Sequence, residues 1–270
     1  MSAQDGTGAT VDELMAVVAS RVLRDDDLVF VGVGTAGRAF ALAVGIPLVA
    51  CRLAQLRHAP GLDVYWGNLL NPDLSAVPAT LNQGTITAWR GAYAPADIGN
   101  KVDMLVRGEF DVSFESAAQV DRHGNLNITR IGTGEVPDVR LVGCLAQPEH
   151  LAFVRRPVVL TDLSARTFVK RVDFVTSRGH GEGRGSREAL GFRTAGPAVV
   201  VTDRCVFDFT GTGLLRLRSL HPGQRLDDVL GRMGFDPVIE GEVPETPAPE
   251  PAELAAIREV VDPQHALLRR

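Results

Sequence analysis

The sequence predicts an α/β fold, a mostly parallel open sheet flanked by helices, and three observations carry that reading. Leu28 to Val33 is a continuous apolar run closing in Gly32-Val33-Gly34, the form of a strand buried on both faces. Strand-patterned stretches alternate with helix-patterned ones along the chain, as a parallel sheet with crossover helices requires. And 270 residues are enough for one large α/β domain or two small ones with a substantial core.

Thr10-Val11-Asp12-Glu13 has capping-box spacing ahead of Leu14, Val17, Val18 and Val22, so a helix is expected to about Arg24. Asp25–Asp27 is a turn and Leu28–Val33 the first strand. Its Gly-x-Gly end lacks the third spaced glycine of a dinucleotide site and is a weak signal for one. Ala36–Val44 reads as helix, Gly45-Ile46-Pro47 as a break, and Leu48–Leu56 as helix again. A strand over Gly61–Gly67, a loop over Asn71–Thr85 and a helix over Asp97–Arg107 follow. Val112 and Phe114 alternate as in a strand, Asp121–Asn125 is a turn cluster, and Ile128–Ile131 resumes as strand. Strands are expected at Arg140–Cys144, Pro157–Thr161, Arg171–Thr176 and Ala198–Thr202, with a helix over Ala165–Lys170. Gly179–Gly191, with five glycines, reads as a mobile or ligand-ordered loop. Val206–Phe209 and Leu214–Ser219 form a hairpin, and Leu226–Met233 a helix. The expected organisation is a domain over 1–236, a proline-rich acidic linker over 237–251, and a C-terminal helix within 252–270 packing back on the domain.

Composition narrows the function. A net charge of -5 gives no general attraction to nucleic acid or to an anionic membrane, so neither is expected as a partner. Lys101 and Lys170 are the only lysines; the arginines that supply the remaining positive charge suit phosphate recognition. Cys51, Cys144 and Cys205 are odd in number and widely spaced, which fits a reducing cytoplasm better than a disulfide framework. The histidines and cysteines lack metal-ligand spacing, so no metal is expected, and a Gly-x-Ser-x-Gly elbow is absent. The N-terminus has no apolar signal core, and no stretch reaches roughly 18 uninterrupted apolar residues. A cytoplasmic location is the expectation.

Ala118-Gln119-Val120-Asp121-Arg122-His123-Gly124-Asn125-Leu126-Asn127 resembles the Gly-Gly-Ala-Gln-(Ile/Val)-Asp-x-x-Gly-Asn-x-Asn segment of class I CoA-transferase β subunits of the glutaconate CoA-transferase type. The similarity continues through Val175–Gly179, Gly185–Gly191, Val200–Asp203 and Ile257–Pro263, and covers most of the chain from about Leu28. It implies the CoA-transferase-like (NagB/RpiA-type) fold, an α-type partner subunit in an α2β2 heterotetramer, and an acyl-CoA substrate. CoA would enter as part of the substrate and not as a tightly bound cofactor.

The resemblance also implies roles. In this family the β part supplies a glutamate, in a Val-Glu-Ser-Gly pattern, that attacks the acyl-CoA carbonyl and becomes a glutamyl-CoA thioester. Here the pattern is Val64-Tyr65-Trp66-Gly67, so Tyr65 stands in the nucleophile's place, and a phenol is neutral at pH 7. Relatives that lack this glutamate include ring-cleaving acyl-CoA hydrolases of steroid catabolism, which this chain also resembles in Ser219-Leu220-His221-Pro222-Gly223. Hydrolysis or carbon–carbon cleavage is therefore expected over carboxylate exchange. Ser116-Ala117-Ala118 matches the family's Gly-Gly-Ala corner, making the backbone at Ala117 and Ala118 the expected oxyanion donors. Glu115 beside it is a candidate general base, or else a solvent-facing or salt-bridged residue. Tyr65, Trp66, Gly67, Gln119, Gly143 and Cys144 are expected to line the substrate pocket, with Cys144 either a reactive thiol or a buried structural one. Arg184 and Arg187 are candidates for the CoA phosphates. His123 and His221 are acid–base candidates or structural residues. The residues near Thr35–Val44 look like an insertion relative to the family. The alternatives are a true CoA-transferase whose carboxylate is Glu115 or the partner's, a non-catalytic scaffold subunit, and an effector sensor of the same broad fold.

Overall fold

The structure is a computed structural model that describes residues 8–34, 36–67, 69–73, 92–93 and 98–268. Most of the expected loop over Asn71–Thr85 lies outside the described residues. The chain divides into two compact units, one of residues 1–104, 109–114 and 247–270, the other of 105–108 and 115–246.

The first unit opens with α1 (Val11–Ser20), whose capping box forms as the sequence requires: Glu13 N–H donates to Thr10 Oγ1 and Thr10 N–H to Glu13 Oε2. β1 (Leu28–Val31) pairs in parallel with β2 (Asp63–Trp66) on one side and with β5 (Val112–Glu115) on the other. Two short antiparallel strands, β3 (Leu69–Leu70) and β4 (Ala92–Tyr93), extend the β2 edge. α4 (Ile98–Val106) leads into β5.

Between β1 and β2 the expected break at Gly45-Ile46-Pro47 is absent. α2 (Gly37–Phe40) runs through a π-helical turn, Ala41–Gly45, directly into α3 (Ile46–Arg57). The wider turn just before Pro47 accommodates a residue that has no N–H to donate back into a helix that continues through it. This stretch is long and apolar enough to cross a membrane by composition, and 67% of its most apolar window is buried within the protein. Gly45 admits a close neighbour: a Cβ there would sit 2.2 Å from the Leu267 carbonyl oxygen. The C-terminal helix (Pro251–Ala255, then a π-helical turn over Ala256–Val261) is fastened by Arg258, which grips both oxygens of the fully buried Glu13 at 2.8 Å.

The second unit begins its main run at Glu115. β6 (Gln119–Val120) and β7 (Leu126–Asn127) form a small hairpin, as do β8 (Arg130–Ile131) and β9 (Val139–Arg140). α5 (Gln147–Phe153) follows, a helix the sequence reading did not anticipate. β10 (Arg156–Leu160) pairs in parallel with β11 (Val199–Val201), which continues antiparallel into β12 (Cys205–Phe209) and β13 (Leu215–Leu220). α6 (Leu226–Leu230) packs Val229 into a core with Val159, Phe168, Val200, Phe207 and Leu217. The α/β class is as expected, and the pairing is mixed: parallel at β5-β1-β2 and β10-β11, antiparallel in β2-β3-β4 and β11-β12-β13.

Two expected elements do not form, and of the expected strand Arg140–Cys144 only Arg140 is in a strand, at the end of β9. Residues 165–170 are a turn and a bridge instead of a helix, because Val120 takes the Thr167 carbonyl and gives its own to Val169. Residues 171–176 make no ladder: Asp173 N–H goes to the Gln119 side chain and Thr176 N–H to the Leu126 carbonyl. The expected linker over 237–251 is docked over its first part, with Val238 bridging Arg216 and Glu245 bridging Leu220; the division between units falls at Pro247.

Candidate active site

The corner that follows β5 is built against one face of α5. Gln147 and His150 lie three residues apart on that helix, so both side chains project from the same side. His150 Nδ1 is 2.9 Å from Glu115 Oε1, and the two side chains are only 7% and 5% exposed. Gln147 Nε2 donates to the Ser116 carbonyl at 2.9 Å, while its Oε1 accepts from the fully buried Ser177 Oγ at 2.9 Å. Thr161 Oγ1 donates to the Ala117 carbonyl at 3.0 Å. The corner is thus held at three successive residues by side chains from elsewhere in the unit.

These bonds decide which backbone donors remain. Ala118 N–H donates to the Asn127 carbonyl at 3.0 Å, so it is spent inside the protein and drops out as an oxyanion donor. Ala117 N–H has no acceptor among the described residues. Glu115 Oε1 is engaged by His150, and its second oxygen makes no hydrogen bond among the described residues. A carboxylate braced by an imidazole on one oxygen, two residues before a spare N–H, is equipped to take a proton while the N–H receives developing negative charge. Glu115 is therefore not solvent-facing, and of the expected alternatives the paired one is met, through the buried His150.

The other expected residues separate into distinct groups. In the first unit Tyr65 is 2% exposed, its ring stacked on Phe30 (6.1 Å between centroids) and edge-on to Phe110 (5.7 Å). Its hydroxyl is buried with no hydrogen-bond partner among the described residues, and burial pushes the phenol pKa up. Lys101 Nζ lies 5.9 Å from the ring centroid, its own pKa lowered by burial. Trp66 is buried and donates from Nε1 to the Gly32 carbonyl, and Gly67 adopts φ +62°. Tyr65 and Trp66 are core residues of this unit, not pocket walls open to solvent.

In the second unit the Gln-x-Asp-x-x-x-Asn-x-Asn side chains of the resembling segment tie loops together. Gln119 Oε1 accepts from Asn127 Nδ2 and from Asp173 N–H. Asp121 receives His123 N–H, Asn125 N–H and Asn125 Nδ2, while Asn125 Oδ1 accepts Gly179 N–H. Gly179 is forced by this contact, since a Cβ there would lie 2.2 Å from the Gly124 carbonyl oxygen. Arg187 is corrected from phosphate ligand to internal bolt. It is 5% exposed, its guanidinium is committed to the carbonyls of Leu151, Arg178, Gly179 and Thr194, and Phe192 packs on its face. Desolvation lowers its pKa to about 10, with Glu188 opposing, so it stays charged at neutral pH. The loop it holds carries backbone hydrogen bonds of its own, from Gly183 to His180, Ser186 to Gly183, Ala189 to Gly185 and Gly191 to Glu188. Arg184 is exposed and remains available to a ligand.

Cys144 is exposed, against the expectation of a buried structural thiol. Desolvation, Glu149 and Glu115 raise its pKa while the Gln147 backbone N–H lowers it, and the thiol form prevails at neutral pH. Gly143 beside it takes φ +78° with open space where a Cβ would stand. His221 is a core residue, with Nε2 on the Thr202 carbonyl and Nδ1 on Thr246 Oγ1; His123 meets the Gly213 carbonyl. Among the described residues no three of His, Cys, Asp and Glu gather as a metal set. The residues sequence reasoning missed are Gln147 and His150. Their one local signal is Pro148, a residue that favours the first turn of a helix.

The family model for coenzyme A transferase matches residues 13–231. The chain is 33% identical over 251 residues to the B subunit of 3-oxoadipate CoA-transferase from Pseudomonas knackmussii, covering 92% of each. It is 29% identical to the B subunit of glutaconate CoA-transferase from Acidaminococcus fermentans over 98% of this chain and 97% of the relative; the crystal structure of that enzyme superposes with a TM-score of 0.83. The cholesterol ring-cleaving hydrolase IpdB subunit of Rhodococcus jostii is 29% identical over 81% of this chain and 83% of its own length. The crystal structure of IpdAB from that organism matches 94% of this chain and 95% of its own with a TM-score of 0.75. All three relatives are B-type subunits. This chain belongs to the coenzyme A transferase family.

Proposed function

We propose that this chain is the B-type subunit of a heteromeric enzyme that acts on an acyl-CoA thioester by hydrolysis or carbon–carbon bond cleavage. The observation that carries the reading is Tyr65, packed at 2% exposure between Phe30 and Phe110 at the position the resemblance assigns to the nucleophilic glutamate. A phenol there forms no glutamyl-CoA thioester, so CoA exchange between carboxylates loses its covalent carrier. Glu115, braced by His150, would act as general base, with Ala117 N–H as oxyanion donor. Gly143 and Cys144 would border the acyl group, and Arg184 would meet the CoA phosphates. An A-type partner, in an α2β2 assembly, would complete the site. The likeness to a ring-cleaving hydrolase supports non-transfer chemistry.

The test uses the complex of this chain with its A-type partner and a panel of acyl-CoAs, following free CoA with and without added carboxylate acceptors. Release without an acceptor is expected; turnover only with an acceptor would overturn the reading. A second reading, true CoA transfer, draws on the second oxygen of Glu115 as nucleophile. It requires a glutamyl-CoA thioester at Glu115, which borohydride would reduce to a residue of altered mass.

A further inference from the structure

The geometry points to Gln147 as the positioning residue that turns the Ala117 N–H outward as an oxyanion donor. The inference rests on the reading of the corner given above and names what orients it. A trans peptide is planar, so its C=O and N–H point in opposite directions. Gln147 Nε2 holds the Ser116 carbonyl at 2.9 Å, which sends the N–H of the same peptide, that of Ala117, away from α5. The next peptide is held in the opposite sense of use: Thr161 takes the Ala117 carbonyl, and the Ala118 N–H is spent on Asn127. One donor of the corner is consumed and its neighbour is kept free.

The Gln147 amide is itself oriented. Ser177 Oγ donates to its Oε1 at 2.9 Å, leaving Nε2 as the end that faces Ser116. Gln147 is 6% exposed and Ser177 fully buried, so water does not compete for these bonds. Ala117 itself is half-buried, and an N–H there that no group among the described residues takes is one a ligand can complete. The relay Ser177–Gln147–Ser116 therefore preorganises Ala117 N–H before substrate arrives, and α5 braces Glu115 through His150 one turn further on.

The test compares Gln147→Leu, Ser177→Ala and Thr161→Val in the complex with the A-type partner. Gln147→Leu should lower kcat by about 10- to 100-fold with KM within about twofold, because a misaimed donor is lost from the transition state more than from the ground state. The infrared carbonyl band of a bound, slowly reacting thioester should move toward its position in water. Ser177→Ala should give a smaller loss of the same kind, and it reads the proposal if Gln147→Leu fails to fold. An unchanged kcat and carbonyl band in the folded variants would overturn the proposal, as would a Thr161→Val loss equal to that of Gln147→Leu. The ratios are read with or without a carboxylate acceptor, so a transferase outcome overturns the hydrolytic reading alone.

Discussion

His150 Nδ1 and Glu115 Oε1 meet at 2.9 Å across 35 residues of chain, in a setting where both side chains are almost wholly removed from water. The bond occupies one oxygen of the carboxylate, and burial keeps water from competing for it. Removing either partner has distinct and separable consequences.

Glu115→Gln keeps an acceptor for His150 and removes the base. The complex should lose about 100- to 10,000-fold in kcat while melting within a few degrees of the parent. His150→Ala leaves a buried carboxylate without its imidazole and should cost about 1–3 kcal/mol in urea denaturation. Full activity in Glu115→Gln would take the carboxylate out of the mechanism.

Tyr65 makes two opposite predictions. Tyr65→Phe removes a buried hydroxyl that has no partner among the described residues, so stability should hold or rise slightly in thermal melts. Tyr65→Glu should not restore CoA transfer, because a carboxylate among Phe30 and Phe110 would be driven to its neutral form and destabilise the fold. A large loss of kcat in Tyr65→Phe would instead place the hydroxyl on the substrate.

Arg187→Met should strand the carbonyls of Leu151, Gly179 and Thr194 and cost roughly 2–4 kcal/mol, read by denaturant titration. KM for acyl-CoA should be little changed in the protein that remains folded. A selective rise in KM at unchanged stability would return Arg187 to the phosphate site.

Asp208 carries a pH signature. Burial alone would raise its carboxyl, but hydrogen bonds from Arg216 and Arg218 outweigh burial and hold it below its ordinary 3.8. A depressed carboxylate stabilises the fold above its unfolded pKa and loses that contribution as pH falls through the folded one. Asp208→Asn should therefore melt lower than the parent at pH 7, with the gap closing as pH is taken below 3.8. A gap that persists unchanged in acid would assign the effect to packing.

Much was legible in the chain because it depends on neighbours in sequence. The Thr10–Glu13 capping box, the buried strands at Leu28 and Pro157 and the hairpin after Cys205 all follow from local spacing and apolar pattern. So did the family, since the segment from Ala118 to Asn127 carries its own side-chain pattern, and so did Glu115 as an unusual carboxylate beside the corner.

The tertiary structure decided the rest, because the deciding contacts join residues distant in sequence. Only the packed fold brings His150 and Gln147 to residues 115 and 116, on a seven-residue helix too short to announce itself by periodicity. Arg184 and Arg187 look alike in sequence; burial against four carbonyls makes one a bolt and exposure leaves the other free. Ala117 and Ala118 are the same residue type side by side, and they differ because Asn127 consumes one N–H and nothing described takes the other. Residue chemistry was written in the sequence; which donors, acids and charges remain unspent is a property of the hydrogen bonds the fold completes.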